Sequence, residues 1–470
     1  MMVRIFKHYV PTPLLILAGI EIAIFFASVY AGSYVRFLDS AGSSGEAVKA
    51  HIGPLLPRAI TISFVLVVIM ATLGMYAREI REGDWGYYSR FMASFVIGFI
   101  AITFIFYAFP DLLLGRGALA LSFLIAFVAT AIIRFIFLSL IDSEAIKRRV
   151  LVLGAGSRPA KLGMLVGENA AEQRFHLVGY VPLDGAHTSI KTSMLLDKRL
   201  PLLSIAQKNR VDEIVVGVRQ RRGGTLPMGE LLECRMEGIK VIDLSSFFER
   251  ETGRLQLESL NPSWIIFSEG FDRGNIRNTV KRTFDIVVSL SILFLTLPLI
   301  LIAMILIKLE SRGPLFYKQA RVGECGKPFD VLKFRSMRVD AEKEGKPQWA
   351  RKNDDRVTRV GKIIRLIRVD ELPQIFNVLV GDMSFVGPRP ERPFFVKQLA
   401  KEIPYYSTRH SVRPGITGWA QVRYPYGASV EDAKEKLQYD LYYVKNHTLF
   451  LDIIIMFNTA QVVLFGQGAR

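Results

Sequence analysis

The stretch Ile286-Val-Val-Ser-Leu-Ser-Ile-Leu-Phe-Leu-Thr-Leu-Pro298-Leu-Ile-Leu-Ile-Ala-Met-Ile-Leu-Ile307 is 22 residues long and carries no charge. As a helix it is long enough to cross the ~30 Å hydrocarbon layer of a bilayer. Lys281 and Arg282 precede it, and Lys308 and Arg312 follow. A simple crossing carries its basic excess on one side, so cations on both sides argue against one. Pro298 lies near the middle, where it removes a backbone donor and favours a kink. The pattern predicts a re-entrant helix over residues 283–309 that enters the membrane, bends at Pro298 and returns to the cytoplasmic face. The alternative is a Pro-kinked crossing, which would place the following domain outside.

Towards the N-terminus, four further apolar runs occupy Leu14–Tyr34, Ala59–Tyr76, Phe91–Phe109 and Ala118–Leu140. Arg4 and Lys7 precede the first, and Lys147-Arg148-Arg149 follow the last, which predicts a four-helix transmembrane bundle (1–146) with both ends cytoplasmic. No secretory cleavage pattern follows the first run, so it reads as a retained helix. Glu21 and Arg134 interrupt two of these runs. Each is expected to face the bundle interior, with snorkelling towards the basic end open to Arg134.

Next, Arg149-Val-Leu-Val-Leu-Gly154-Ala-Gly156-Ser-Arg-Pro159 reads as a strand entering a Gly-rich turn. Further strands at Phe175–Val181, Glu213–Val218 and Lys240–Leu244, with helices between, predict a Rossmann-like α/β domain over 147–250. The dinucleotide fingerprint is incomplete: Pro159 takes the third glycine's place, and no acidic residue ends the second strand. A tight turn without a nucleotide is therefore the leading reading. The domain's role is open between regulation, support and a homodimer contact. Residues 251–280 read as a linker.

The formal charge is +17, and residues 281–470 hold 30 Lys and Arg against 19 Asp and Glu. A basic half beside apolar segments suits anionic membrane lipid or phosphorylated substrates. Nucleic acid is disfavoured, because the cations are not interleaved with aromatics in a recognised module. With two cysteines, no disulfide framework is expected. The six histidines are scattered without metal-ligand spacing. Leu449–Phe465, broken by Asp452, Asn458 and Gln461, reads as an interfacial helix.

The chemistry concentrates in Arg365-Leu-Ile-Arg-Val-Asp370-Glu371-Leu-Pro373-Gln374, where two adjacent carboxylates follow Arg356, Arg359, Lys362, Arg365 and Arg368. Nearby cations should keep both carboxylates ionised, and surplus cations can hold phosphate. A carboxylate can attack phosphorus, bind a divalent metal, or do both. Pro373 is expected in the first turn of a following helix, which would put the acid pair near a helix N-terminus. Lys333-Phe-Arg335-Ser-Met337 sets two cations on alternate residues, hence on one side of a strand. Gly381-Asp-Met-Ser-Phe-Val-Gly387-Pro-Arg389-Pro-Glu391 fixes Arg389 between prolines, and Arg413-Pro-Gly-Ile-Thr-Gly418-Trp419 presents another arginine in a rigid turn. Any one of these alone would read as a surface salt bridge. Together they point to phosphoryl chemistry beside a membrane.

As an ordered set, Lys333–Met337, Asp370–Gln374, Gly381–Glu391 and Arg413–Val422 resemble the bacterial sugar transferases, also called monotopic phosphoglycosyl transferases or polyprenyl-phosphate sugar-phosphate transferases. The resemblance covers about residues 278–466. The bundle and α/β domain look like those of long members that initiate exopolysaccharide or O-antigen synthesis, and the tail looks closest to an exopolysaccharide branch. The resemblance implies an α-rich α+β catalytic domain (281–470) on the cytoplasmic face of the bacterial inner membrane. It implies that Asp370 attacks the sugar-bearing phosphate of a UDP-sugar, releasing UMP, and that polyprenyl (undecaprenyl) phosphate takes the phosphosugar from the aspartate. Glu371 matches the adjacent acid, and Mg2+ held by Asp370 and Glu371 suits their hard oxygen ligands. Lys333, Arg335, Arg365 and Arg389 match phosphate-binding positions, Arg413 and Asp440 supporting ones, and Pro298 the membrane bend. Leu297 stands where some members have serine. Two rivals remain. A nucleotide-sugar dehydratase or reductase needs Tyr-x-x-x-Lys, which the sequence lacks. A non-enzymatic membrane scaffold for polysaccharide machinery predicts no special effect of Asp370.

Overall fold

The computed structural model describes the chain apart from residues 1, 6–7, 39–47, 49–50, 77–83, 142–146, 169–174, 184–188, 198, 219–225, 258–273, 339–355, 426, 428 and 466–470. It divides into two compact units, one of Met1–Val3 with Val10–Glu251, the other of Arg4–Tyr9 with Thr252–Arg470.

The first unit begins with four long apolar helices: α1 (Thr12–Arg36), α2 (Leu55–Thr72), α3 (Asp84–Ala108) and α4 (Arg116–Ile141). They share an apolar core that includes Phe25, Ile62, Leu66, Phe95, Ile102 and Phe123. Gly32 of α1 lies so close to Ser122 of α4 that a Cβ would collide with its backbone, the close approach small residues permit. Glu21 and Arg134 both lie in this interior and find each other. Arg134 Nε is 2.6 Å from Glu21 Oε1, and Nη2 donates to Oε2 at 2.9 Å. The Tyr76 hydroxyl donates to Glu21 Oε2 at 2.5 Å, and Arg134 Nη1 donates to the Tyr87 hydroxyl at 2.8 Å. With its charge paired inside, Arg134 has no reason to snorkel.

The same unit continues as a four-stranded parallel sheet. Its strands are β1 (Arg148–Leu153), β2 (Phe175–Val181), β3 (Glu213–Val216) and β4 (Lys240–Asp243), in the order β2-β1-β3-β4. Helices α5 (Ser157–Glu168), α6 (Leu202–Lys208), α7 (Met228–Met236) and α8 (Leu244–Thr252) alternate with them. The near-continuous apolar strands suit a sheet covered on both faces. At the Gly-rich turn, Gly154 takes φ +107°, and the Pro159 ring packs where a Cβ at Gly217 would sit. The close strand–helix approach is thus made by a glycine beyond β3 rather than by the fingerprint's third position.

The second unit opens with α9 (Asn275–Glu310), 36 residues with Pro298 inside, beginning eight residues earlier than expected. Both ends of α9 are tied to this unit. Near its start, Arg282 Nη1 and Nη2 donate to the Val378 and Leu379 carbonyls at 2.5 and 2.6 Å. Near its end, Ile300, Ala303 and Ile307 share a core with Phe334, Ile364 and Val369. The hairpin β5 (Phe316–Val322) with β6 (Pro328–Phe334) follows. Then come α10 (Arg359–Leu366), a 3-10 turn (Val369–Glu371), α11 (Gln374–Val380), β7 (Ser384–Val386) and α12 (Pro393–Glu402). The chain closes with β8 (Gly415–Thr417), α13 (Trp419–Arg423), α14 (Val430–Asn446) and α15 (Leu449–Phe465). Trp419, Leu437, Leu441, Tyr442, Tyr443 and Leu451 are among the residues of its C-terminal core.

Candidate active site

Helix α10 delivers the acid pair. Glu310, the last residue of α9, accepts the Arg359 N–H at 2.7 Å, and the Thr358 hydroxyl accepts the Gly361 N–H at 2.9 Å. A carboxylate and a hydroxyl satisfy donors that the helix start leaves open. The helix ends at Leu366, and Arg368 takes a left-handed conformation with φ +57°, uncommon for a non-glycine residue. That reversal starts the 3-10 turn bearing Asp370 and Glu371. Val369, buried in the core under α9, anchors the turn. Pro373 stands at the cap of α11 rather than in its first turn. The acid pair is therefore set on its own turn ahead of that helix.

The two acids are not equivalent. Glu371 Oε1 accepts from Lys333 Nζ at 2.9 Å and from Arg389 Nη2 at 3.0 Å. Burial opposes its charge, but Arg389 and Lys333 overcome this and hold its carboxyl far below the usual range. Asp370, 9% exposed, receives no hydrogen bond among the described residues. Burial and the neighbouring Glu371 push its carboxyl upward, against Lys333, Arg365 and Arg368. The pull of the surrounding cations towards the charged form thus prevails over burial at Glu371. For Asp370, desolvation outweighs the cations.

The two Pro- and Gly-punctuated motifs meet as a parallel strand pair, with Ser384 opposite Gly415 and Val386 opposite Thr417. Gly387 lies against the backbone of Arg413–Gly415 so closely that any side chain there would collide. Arg389 emerges from this junction. Its carbonyl accepts Arg409 Nη2 at 2.9 Å, and the same guanidinium pairs with Asp440 Oδ2 at 2.8 Å and the Tyr406 hydroxyl at 2.8 Å. Burial opposes the Arg409 charge, while Tyr406 and Asp440 hold it protonated. Asp440 thus reaches the site through Arg409.

The structure brings Lys333 and Arg389 onto Glu371 and leaves Arg365 and Arg368 close enough to act on Asp370 electrostatically. Arg365 Nε also donates to Ser336 Oγ at 2.8 Å. Arg335 departs from expectation. Strand β6 ends at Phe334, so the alternation that would align Arg335 with Lys333 stops one residue short. Its guanidinium donates to the Ser311 carbonyl at 2.8 Å and the Arg312 carbonyl at 3.2 Å, closing the end of α9. Arg413 pairs instead with Glu324 at 3.4 Å, both well exposed. Arg409 and Tyr406 lie between the quoted motifs with no pattern of their own. The signal available was Asp440 within the apolar, aromatic stretch Tyr439–Val444, where an acid would need a cation if that stretch were buried.

For a metal, no three His, Cys, Asp or Glu side chains gather among the described residues. Asp370 and the Oε2 atom of Glu371 nevertheless offer carboxylate oxygens free of hydrogen bonds. That fits magnesium, which uses one or two carboxylates and completes its shell with substrate phosphates and water.

The bacterial sugar transferase family model matches residues 276–466. The chain is 45% identical over 240 residues to a UDP-N-acetylgalactosamine-undecaprenyl-phosphate N-acetylgalactosaminephosphotransferase of Aeromonas hydrophila, spanning 51% of this chain and 56% of that relative. It is 34% identical over 320 residues to a UDP-glucose:undecaprenyl-phosphate glucose-1-phosphate transferase of Klebsiella pneumoniae, covering 67% of each. Against an enzyme of the same name from Xanthomonas campestris pv. campestris it is 34% identical over 373 residues, covering 75% of each. With its acid pair, its converging cations and these relatives, the chain belongs to the bacterial sugar transferase family.

Proposed function

We propose that this protein is a phosphoglycosyl transferase that moves a sugar-1-phosphate from a UDP-sugar to undecaprenyl phosphate, the initiating step of a surface glycan. The observation that carries this is the asymmetry of the acid pair. Glu371 is held by Lys333 and Arg389, whereas Asp370 beside it is buried and free of hydrogen bonds. One acid is suited to organise cations and the other to attack.

In this mechanism an Asp370 carboxylate oxygen attacks the sugar-bearing phosphorus, and the bond to the bridging oxygen breaks. UMP leaves with that electron pair, and the phosphosugar stays on Asp370 as an acyl phosphate. A phosphate oxygen of undecaprenyl phosphate then attacks the same phosphorus, forming undecaprenyl-diphosphate-sugar and releasing the aspartate. Both substrates are anionic, so attack requires cations at the phosphates, the part assigned to Lys333, Arg365 and Arg389. Magnesium at Asp370 and Glu371 would further neutralise the diphosphate. The relatives are named for UDP-N-acetylgalactosamine or UDP-glucose as donor.

We further propose that the four N-terminal helices cross the inner membrane and that α9 is re-entrant, with the catalytic unit on the cytoplasmic face. In support, five helices are long and apolar enough to cross a membrane, and both ends of α9 bond to the same unit. Purified protein with magnesium, undecaprenyl phosphate and a panel of UDP-sugars should release UMP with at least one donor, and Asp370→Asn should release none. Turnover by Asp370→Asn at the parent rate would overturn the nucleophile assignment.

A further inference from the structure

Helix α9 reaches the active site through Asp285, the residue immediately before the apolar run. Asp285 is fully buried, at 0% exposure. Its Oδ1 accepts from the Ser384 hydroxyl at 3.0 Å, the Phe385 backbone N–H at 3.1 Å and Lys281 Nζ at 3.3 Å. Lys281 also donates to the Val386 carbonyl at 3.2 Å and lies 2.9 Å from Asp452 Oδ2. The Tyr443 hydroxyl is 2.9 Å from that same carbonyl and 2.7 Å from Asp452 Oδ1. Side chains from α9, α14 and α15 therefore converge on β7. Three residues past the clamped Val386 carbonyl, Arg389 donates to Glu371.

Stability alone does not account for this arrangement. Asp285 Oδ2 and, one turn further along α9, Ser289 Oγ have no hydrogen-bond partner among the described residues. A buried carboxyl with an unmatched oxygen is a poor way to hold a helix, since apolar packing would do so without the desolvation penalty. Local rules are broken in this way where position matters more than stability.

We propose that Asp285 is a positioning residue: by gripping Ser384 and Phe385 it sets where Arg389 meets Glu371 and the donor's diphosphate. This rests on the transfer reaction above. It also links the seating of the apolar helix to the geometry of the site, because one helix carries both the apolar run and the grip. The grip uses Oδ1 as an acceptor, so asparagine, which keeps a carbonyl oxygen, should preserve it, and alanine should not.

The test uses the full chain in lipid nanodiscs, measuring KM for the UDP-sugar, kcat and unfolding temperature for Asp285→Ala and Asp285→Asn. Asp285→Ala is expected to raise KM about tenfold, as expected for a misplaced positioning group. Asp285→Asn should stay within about twofold of the parent. Placed on Arg389→Lys, Asp285→Ala should raise KM no further, because groups acting through one partner are not additive. An unchanged KM in Asp285→Ala, or a full additive effect on Arg389→Lys, would overturn the inference. Should Asp285→Ala not fold, Tyr443→Phe carries the same test: raised KM on the parent, no further rise on Arg389→Lys. A parent enzyme that releases no UMP from any donor would instead sink the transfer reaction itself, a result read before any variant is made.

Discussion

Asp370 and Glu371 share a turn but differ in what surrounds their oxygens, and this difference has opposite consequences for stability. Burial and Glu371 raise the Asp370 carboxyl above its ordinary value. Its neutral form is the one the fold prefers, so that contribution is complete below about pH 4 and lost as pH rises through the folded value. At neutral pH the ionised side chain therefore strains the native state. Asp370→Asn should unfold at a higher temperature than the parent at pH 7.5, each kcal/mol appearing as about 2–4 °C for a domain of this size. A lower unfolding temperature would show that burial is not the dominant effect. The same shift sets the pH dependence of turnover: kcat/KM should fall on acidification with an apparent pKa above the usual ~3.9 of aspartate, measured across buffers of constant ionic strength. Glu371 behaves oppositely. Its depressed folded value means its contribution is present above about pH 4.3 and lost only as pH falls through the folded value. The presence of an acid pair among cations was legible in the sequence. Which acid stays unbonded depended on Lys333 and Arg389 arriving from segments 38 and 18 residues away.

At the scale of elements, α9 organises its unit. Its end is closed by Arg335, its last residue caps α10, and its buried face packs under the turn that carries the acid pair. Burying side chains such as Ile300, Ile307, Phe334 and Ile364 contributes about 1.5–3 kcal/mol each, enough to hold the C-terminal part of the helix on its unit. Arg335→Ala should destabilise the protein by about 1.5–3 kcal/mol, the range for hydrogen bonds to a charged group, in a denaturant titration. KM for the UDP-sugar should stay within about twofold, since the guanidinium is occupied by carbonyls. A tenfold rise in KM with unchanged stability would return Arg335 to the phosphate site. The strand at Phe175–Val181 and the long apolar helices follow from periodicity and length, as does the strand expected at Glu213–Val218, which ends two residues sooner at Val216. Arg335 did not, because one residue at the end of a strand separates alternation from a turn, and only the packed neighbours decide which.

For the whole molecule, charge placement and apolar length point to a membrane protein with basic residues flanking its apolar segments. Topology can be checked with the exposed native Cys325 and a second probe, Asn275→Cys, on the two sides of the apolar run. A membrane-impermeant maleimide should label both only after the cytoplasmic face is opened. Labelling of Cys325 alone from outside intact cells would make α9 a crossing helix. What the sequence by itself determined is the set of parts. Uninterrupted apolar runs select helices because hydrocarbon cannot satisfy free backbone groups, and alternating strands and helices select a parallel sheet. The acid pair among cations, with the ordered motifs around it, points to phosphoryl transfer. What only the tertiary structure decided is who partners whom. Glu21 pairs with Arg134, the Arg409 guanidinium bonds the Arg389 carbonyl, Arg335 closes a helix, and Asp285 accepts from the strand that precedes Arg389. The physical reason is that a buried polar group must be matched wherever the packed chain brings a partner, and partners 99 or 113 residues apart leave no periodic trace.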